Sequence, residues 1–156
     1  MKTRIYKSNS DIDYKGIKNL MIELCKVTNS EFDEKRFKST INRRAMDKYN
    51  SQGIIIAEDE NEIVGMILAA VLVSPSVETY GNISNFVVYP NYRGKGVGKA
   101  LIDAAFEFFK EMGVSRVETN VRDLEREGKL FNRYGFEKKF IVMEKKISMD
   151  EISKPY

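Results

Sequence analysis

Histidine and tryptophan are absent from the 156 residues, cysteine occurs once and proline three times. Without histidine the chain lacks the commonest general base near neutral pH and the commonest transition-metal ligand. Acid–base work then falls to carboxylates, tyrosine, lysine, water or backbone. Cys25 alone excludes an internal disulfide framework and any multi-cysteine metal centre, which leaves packing to hold the interior. No segment approaches the ~18 consecutive apolar residues of a membrane span, and the opening Met1-Lys2-Thr3-Arg4-Ile5-Tyr6 is charged where a leader would be apolar. The expectation is a cytoplasmic protein that engages no membrane and holds no metal.

Charge of one sign is also scarce. Twenty-six basic against 23 acidic side chains leave a net charge of +3, too little to argue for a nucleic-acid partner. Apolar residues at 42% and charged residues at 31% suffice for one core and a hydrated surface, so residues 1–156 read as a single domain without repeats.

Residues 2–7 alternate weakly as a first strand, and Ser8-Asn9-Ser10-Asp11 offers an N-cap before the helically spaced Ile17, Leu20, Met21 and Leu24. Cys25 lies on the apolar side of that helix, as core. Ser30 is the expected cap of a second helix that places Phe32, Phe37, Thr40, Ile41 and Ala45 near one side and fades over 49–53. On it Arg36, Arg43 and Arg44 form a basic face. Gly53 opens Ile54-Ile55-Ile56-Ala57, a polar turn at 58–61 follows, and 63–73 completes a hairpin with a bulge expected at Gly65. Residues 74–80 read as a loop and 81–89 as a strand closed by Pro90. Val97, Leu101, Ala104, Ala105, Phe108 and Met112 then mark an amphipathic helix that ends at Gly113. A strand over 114–121 follows, which makes a right-handed parallel crossover. A last helix over 124–134 stops at Gly135, 136–147 reads as one or two strands, and 148–156 as a loose tail.

Between Pro90 and Leu101 stand Arg93, Lys95 and Lys99, with no acidic side chain from Val87 to Ile102. Gly94, Gly96 and Gly98 at alternate positions let the backbone turn sharply and offer its N–H groups without obstruction. The start of the following helix adds about half a positive charge and unsatisfied donors. Together these suit a diphosphate. No Gly-Lys-Ser/Thr closes the segment, so it is not a Walker loop, and the G-x-G-x-G spacing is not the dinucleotide fingerprint.

The run from Asn85 to Ile102, with Arg93, Gly96 and Gly98 on the pattern Arg-x-x-Gly-x-Gly/Ala, resembles the central motif of the Gcn5-related N-acetyltransferases. Tyr134-Gly135-Phe136 is similar to the Gly-Phe ending of that family's last helix, and the element order is similar over about residues 3–147. The resemblance implies an α/β (α+β) fold: a mixed, mostly antiparallel sheet whose two central parallel strands splay apart, with helices on both faces. It implies acetyl-CoA as cosubstrate, held along Val87 and Val88 and, through Arg93, Gly94, Lys95, Gly96, Val97, Gly98 and Lys99, at its diphosphate. The acceptor would be a primary amine of a small molecule or peptide. Whether the chain forms a homodimer is left open.

The catalytic residues fit the family less closely. Its members often carry a carboxylate where this chain has Ile83-Ser84-Asn85-Phe86, so Glu118 and Glu78 are the substitute bases. The family's acid tyrosine falls on Phe131, which leaves Tyr134 as the replacement acid. Asn120 is a further contact to the cofactor arm, or a cap of the neighbouring helix. These departures keep a second reading open: an acyl-CoA-binding sensor with weak or no catalysis.

Overall fold

The computed structural model describes residues 1–76 and 78–148. The chain divides into two compact units, Met1–Asn120 and Val121–Tyr156. The first carries β1 (Lys2–Ile5), α1 (Asp11–Thr28), α2 (Glu34–Met46), β2 (Ile54–Asp59), β3 (Glu62–Val73), β4 (Thr79–Val88), α3 (Val97–Glu111) and β5 (Val117–Thr119). The second carries a π-helical turn, Leu124–Gly128, running into α4 (Lys129–Arg133).

Five strands form one sheet in chain order, antiparallel except where β5 lies parallel to β4. The parallel pair is joined through α3, as the sequence predicts. Alternation along the strands divides the interior into two layers. Ile54 and Ile56 of β2, Met66 and Leu68 of β3 and Val87 of β4 pack with Ile17 and Leu20 of α1 and Phe37 and Ile41 of α2. On the other side α3 comes close: a Cβ on Gly65 would stand 3.0 Å from Leu101, one on Gly53 3.3 Å from Phe108 and one on Gly81 2.6 Å from Phe109. Helices therefore cover both faces, as expected, and Cys25 is buried.

Several boundaries differ from the sequence reading. Ser10 caps α1, accepting from the Asp13 N–H at 3.1 Å. The cap of α2 is Asp33, through the Arg36 N–H at 2.9 Å, where Ser30 was expected. Ser30 instead closes α1, its N–H on the Cys25 carbonyl at 3.0 Å after Asn29 turns left-handed at φ 52°. Phe32 consequently lies outside α2. The bulge is found beside Gly65: Ala57 pairs Gly65 but Glu58 pairs Ile63, which leaves Val64 as the extra residue. β4 starts at Thr79, inside the expected loop, because its pairing with β3 runs out to Val73–Thr79.

The strand or strands expected over 136–147 are not formed, since residues 136–148 carry no strand. Four consecutive apolar residues, Phe140 to Met143, lack the period-two alternation of a half-buried strand, and propensity without ladder pairing makes none. All four are exposed. The expected helix over 124–134 is present but divided into its π and α segments, and the C-cap at Tyr134 precedes Gly135 at φ 85°. Of the tail expected at 148–156, residues 149–156 lie outside the described residues.

Candidate active site

The site grows from one irregularity in β4. Met66 pairs Val87 but Leu68 pairs Ser84, so Asn85 and Phe86 together oppose Ile67. Such a bulge bends its strand and strengthens the local twist. Asn85 makes it affordable in conformational terms, because it takes φ 49°, a left-handed value asparagine tolerates. Its side-chain amide reaches the Met21 sulfur of α1 at 3.2 Å. An asparagine inside an apolar strand is the one sequence signal of this bulge.

Just before the bulge the parallel pairing stops. β4 and β5 are in register at Gly81–Val117, Asn82–Glu118 and Ile83–Thr119, and a last link runs from Thr119 Oγ1 to the Ile83 carbonyl at 3.1 Å. β4 continues to Val88 paired with β3 only, so its other edge is unpaired by strand there. β5 thus ends at Thr119 while β4 runs on to Val88.

Beyond Val88 the chain turns through Pro90–Tyr92, a 3₁₀ turn closed by Tyr92 N–H on Tyr89 O at 2.9 Å and Arg93 N–H on Pro90 O at 3.2 Å. Gly94 at φ 74° and Gly96 at φ 84° follow, and a Cβ on either would meet nothing within 4 Å. The loop is therefore open on its outer side. Gly96 caps α3 without a side chain, so no side-chain cap covers the first turn of this 15-residue helix. Gly98 serves packing, since a Cβ there would stand 3.2 Å from Phe86. Val97 is buried and contributes only backbone to the open side.

The basic side chains differ in employment. Arg93 Nε donates to the Val88 carbonyl at 3.1 Å. Lys95 Nζ lies 5.4 Å from the centroid of the Tyr92 ring, and the Tyr92 hydroxyl donates to Glu62 at 3.2 Å, which raises its pKa. Lys99 runs along the helix to Asp103 at 2.6 Å. The loop is thus tethered to the sheet twice, by Arg93 and by Tyr92; neither tether was legible in the sequence.

Both substitute bases are engaged by one guanidinium. Arg116 Nε donates to Glu78 at 2.9 Å, its Nη1 donates to Glu118, and these carboxylates raise the Arg116 pKa, Glu78 more strongly. Arg116 also stacks over Tyr80, 4.7 Å from the ring centroid. Glu118 is partly exposed, and Asn120, just past β5, is exposed. On α2, Arg36 and Arg43 are exposed, whereas Arg44 is turned inward to donate to the Ala69 carbonyl, and burial lowers its pKa. In the second unit Phe131 is buried and meets Phe136 edge-on at 5.3 Å, and Tyr134 is half-buried. Among the described residues no group of three or more Cys, Asp or Glu is placed to hold a metal, and no helix is long and apolar enough to cross a membrane.

A family model described as the acetyltransferase (GNAT) family matches residues 19–136, well over half of the chain and the whole of this strand–loop–helix unit. The chain belongs to the GNAT acetyltransferase family. Among curated relatives it is 33% identical over 97 residues to mycothiol acetyltransferase of Propionibacterium freudenreichii, covering 61% of this chain and 31% of that protein. It is 31% identical over 99 residues to an uncharacterized N-acetyltransferase of Methanocaldococcus jannaschii, covering 61% of this chain and 43% of that one. The chain therefore spans less than half the length of these GNAT relatives. A solved glucosamine-6-phosphate N-acetyltransferase from Arabidopsis thaliana shares the fold at TM-score 0.71 and 20% identity, covering 95% of this chain and 100% of that one. An aminoglycoside acetyltransferase from a soil metagenome, solved with sisomicin, shares it at TM-score 0.73 and 19% identity, covering 94% and 96%. The GNAT fold with a mixed, mostly antiparallel sheet is thereby established for this chain.

Proposed function

We propose that the protein transfers the acetyl group of acetyl-CoA to a primary amine of a small molecule or peptide. The observation that carries this reading is the outward-open turn at Gly94 and Gly96 feeding an uncapped helix beside a β4 edge that β5 has left. The N–H groups from Gly94 to Gly98, with Lys95 beside them, suit the coenzyme diphosphate. The edge of β4 beyond Ile83, which β5 does not cover, suits an extended, amide-bearing arm lying alongside it. Asn120 is the proposed contact on the facing side.

Transfer forms the N–C bond and breaks the C–S bond. The attacking amine must first lose a proton, since an alkylammonium has a pKa of about 10.4. Glu118 is the proposed acceptor of that proton, directly or through water. The oxyanion of the tetrahedral intermediate is stabilised by a backbone N–H of β4, for which Val88 is the proposed donor. The leaving thiolate takes a proton from Tyr134. That last step is the least demanding, because a thiol with a pKa of about 8.5 leaves more readily than a neutralised amine. A buried phenylalanine at 131 therefore weakens the acid step without preventing transfer.

The test is release of free coenzyme thiol from acetyl-CoA with a panel of spermidine, lysine, kanamycin and a peptide with a free N-terminus. Acceptor-dependent release from at least one amine supports the reading. Glu118→Gln should then lower kcat by about 10²-fold, with Glu78→Gln near wild type. An unchanged kcat in Tyr134→Phe removes Tyr134 from the mechanism. The second reading, an acyl-CoA sensor, draws on Phe131 and on the engagement of Glu118 by Arg116; tight coenzyme binding with no release to any amine would favour it.

A further inference from the structure

The backbone at the end of β4 can be assigned group by group. The Tyr89 N–H donates to Val64 O at 3.0 Å, so these residues form a hydrogen-bonded pair of the β3–β4 ladder. Gly65 and Val88 are the next pair along. Neighbouring pairs of an antiparallel ladder alternate, so the N–H and C=O of Val88 turn away from β3, toward the edge that β5 has left. Val87, opposite Met66, directs its own groups back to β3. Of the two Val88 groups on the free edge, the carbonyl is taken by Arg93 Nε at 3.1 Å, and the N–H remains.

We propose that Arg93 is a positioning residue: by holding the Val88 carbonyl it fixes the peptide that follows Val88 and so restrains the Val88 backbone whose N–H, in the preceding peptide, faces the edge beyond Ile83 and Thr119. The inference rests on the acetyltransferase reading above and deepens it. A carbonyl oxygen left free on that edge would repel a developing oxyanion; hydrogen-bonded to a guanidinium, it is held in place and its partial charge is offset. The five-residue reach from Val88 to Arg93 closes over the 3₁₀ turn, so the same bond couples the strand end to the glycine loop. Lysine cannot reproduce it. Its ammonium keeps the charge but sits beyond the position of Nε and lacks the planar fork.

Arg93→Lys separates this role from that of a plain cation. The fold is not at risk, because Arg93 is exposed and lysine keeps its charge and most of its stem. Calorimetry with coenzyme A should give a Kd within about threefold of wild type, the charge being kept. Steady-state release from acetyl-CoA, with the amine of the panel that reacts fastest, should show kcat lowered about tenfold or more at little changed KM. Arg93→Met should show the same loss in kcat and a weaker coenzyme affinity besides. A wild-type kcat in Arg93→Lys, or a loss confined to Kd and KM, overturns the inference while leaving the acetyltransferase reading intact. Wild-type protein that binds no coenzyme A overturns that reading, and this inference with it.

Discussion

At the scale of single residues, the glycines of the loop divide by what surrounds them. A side chain on Gly96 would meet no neighbour within 4 Å but would have to hold φ 84°. The cost to the fold is thus backbone strain of about 1–2 kcal/mol and no clash. Gly96→Glu should fold, melt a few degrees lower and lose measurable acetyl-CoA affinity, because it puts bulk and negative charge where the diphosphate is proposed to lie; retained affinity in calorimetry would sink the cofactor assignment. Gly53 is the opposite case. A Cβ there would stand 1.8 Å from the Ala69 carbonyl of β3, so backbone must move against backbone. Gly53→Ala should cost about 3 kcal/mol, read as a lower urea midpoint at unchanged slope.

Among elements, the entry to the fold is tied by one buried charge cluster. Asp13 on α1 is 2% exposed and accepts both Nη groups of Arg4 from β1, at 2.7 and 2.8 Å, together with the Lys7 N–H at 2.9 Å. Arg4 Nε also reaches Glu58 of β2. The guanidinium lowers the pKa of both carboxylates, and for Asp13 the backbone N–H adds to the effect. A carboxyl whose pKa is lower in the folded than in the unfolded state stabilises the fold above its unfolded pKa. That stability is lost as pH falls through the folded value. Unfolding free energy should therefore hold steady near neutrality and decline below about pH 4. Asp13→Asn should remove about 3 kcal/mol at pH 7 by breaking the buried bidentate pair and leaving Arg4 only the Glu58 carboxylate, and its decline in acid should be shallower than wild type; equal declines in urea titrations at pH 7 and pH 3 would refute the assignment. The α2 cap shows the same dependence on surroundings: Ser30 and Asp33 both suit an N-cap by type. The closure of α1 after Asn29 engages Ser30, and only Asp33 is left to start the next helix.

For the whole molecule, a coenzyme that binds the folded chain alone must raise its melting temperature. At a hundredfold excess over Kd the linkage is about 2.7 kcal/mol, so saturating acetyl-CoA should shift the midpoint by about 5–10 °C. Gly96→Glu should abolish that shift; a shift that survives the variant places the coenzyme elsewhere. What the sequence by itself determined is what local chemistry forces. The apolar periods of α1 and α3, the β2–β3 hairpin and the glycine–cation loop follow from residue type and spacing, because each involves neighbours close in sequence, and the parallel crossover follows from the strand–helix–strand order those local patterns set. The tertiary structure alone decided the rest. The bulge at Asn85, the end of the β4–β5 pairing at Ile83 and the reach of Arg116 to Glu78 depend on strand register, and the grip of Arg93 on Val88 depends on the path of the turn between them. The failure of 136–147 to become a strand is of the same kind, since a ladder exists only where a partner edge is offered and no composition supplies one.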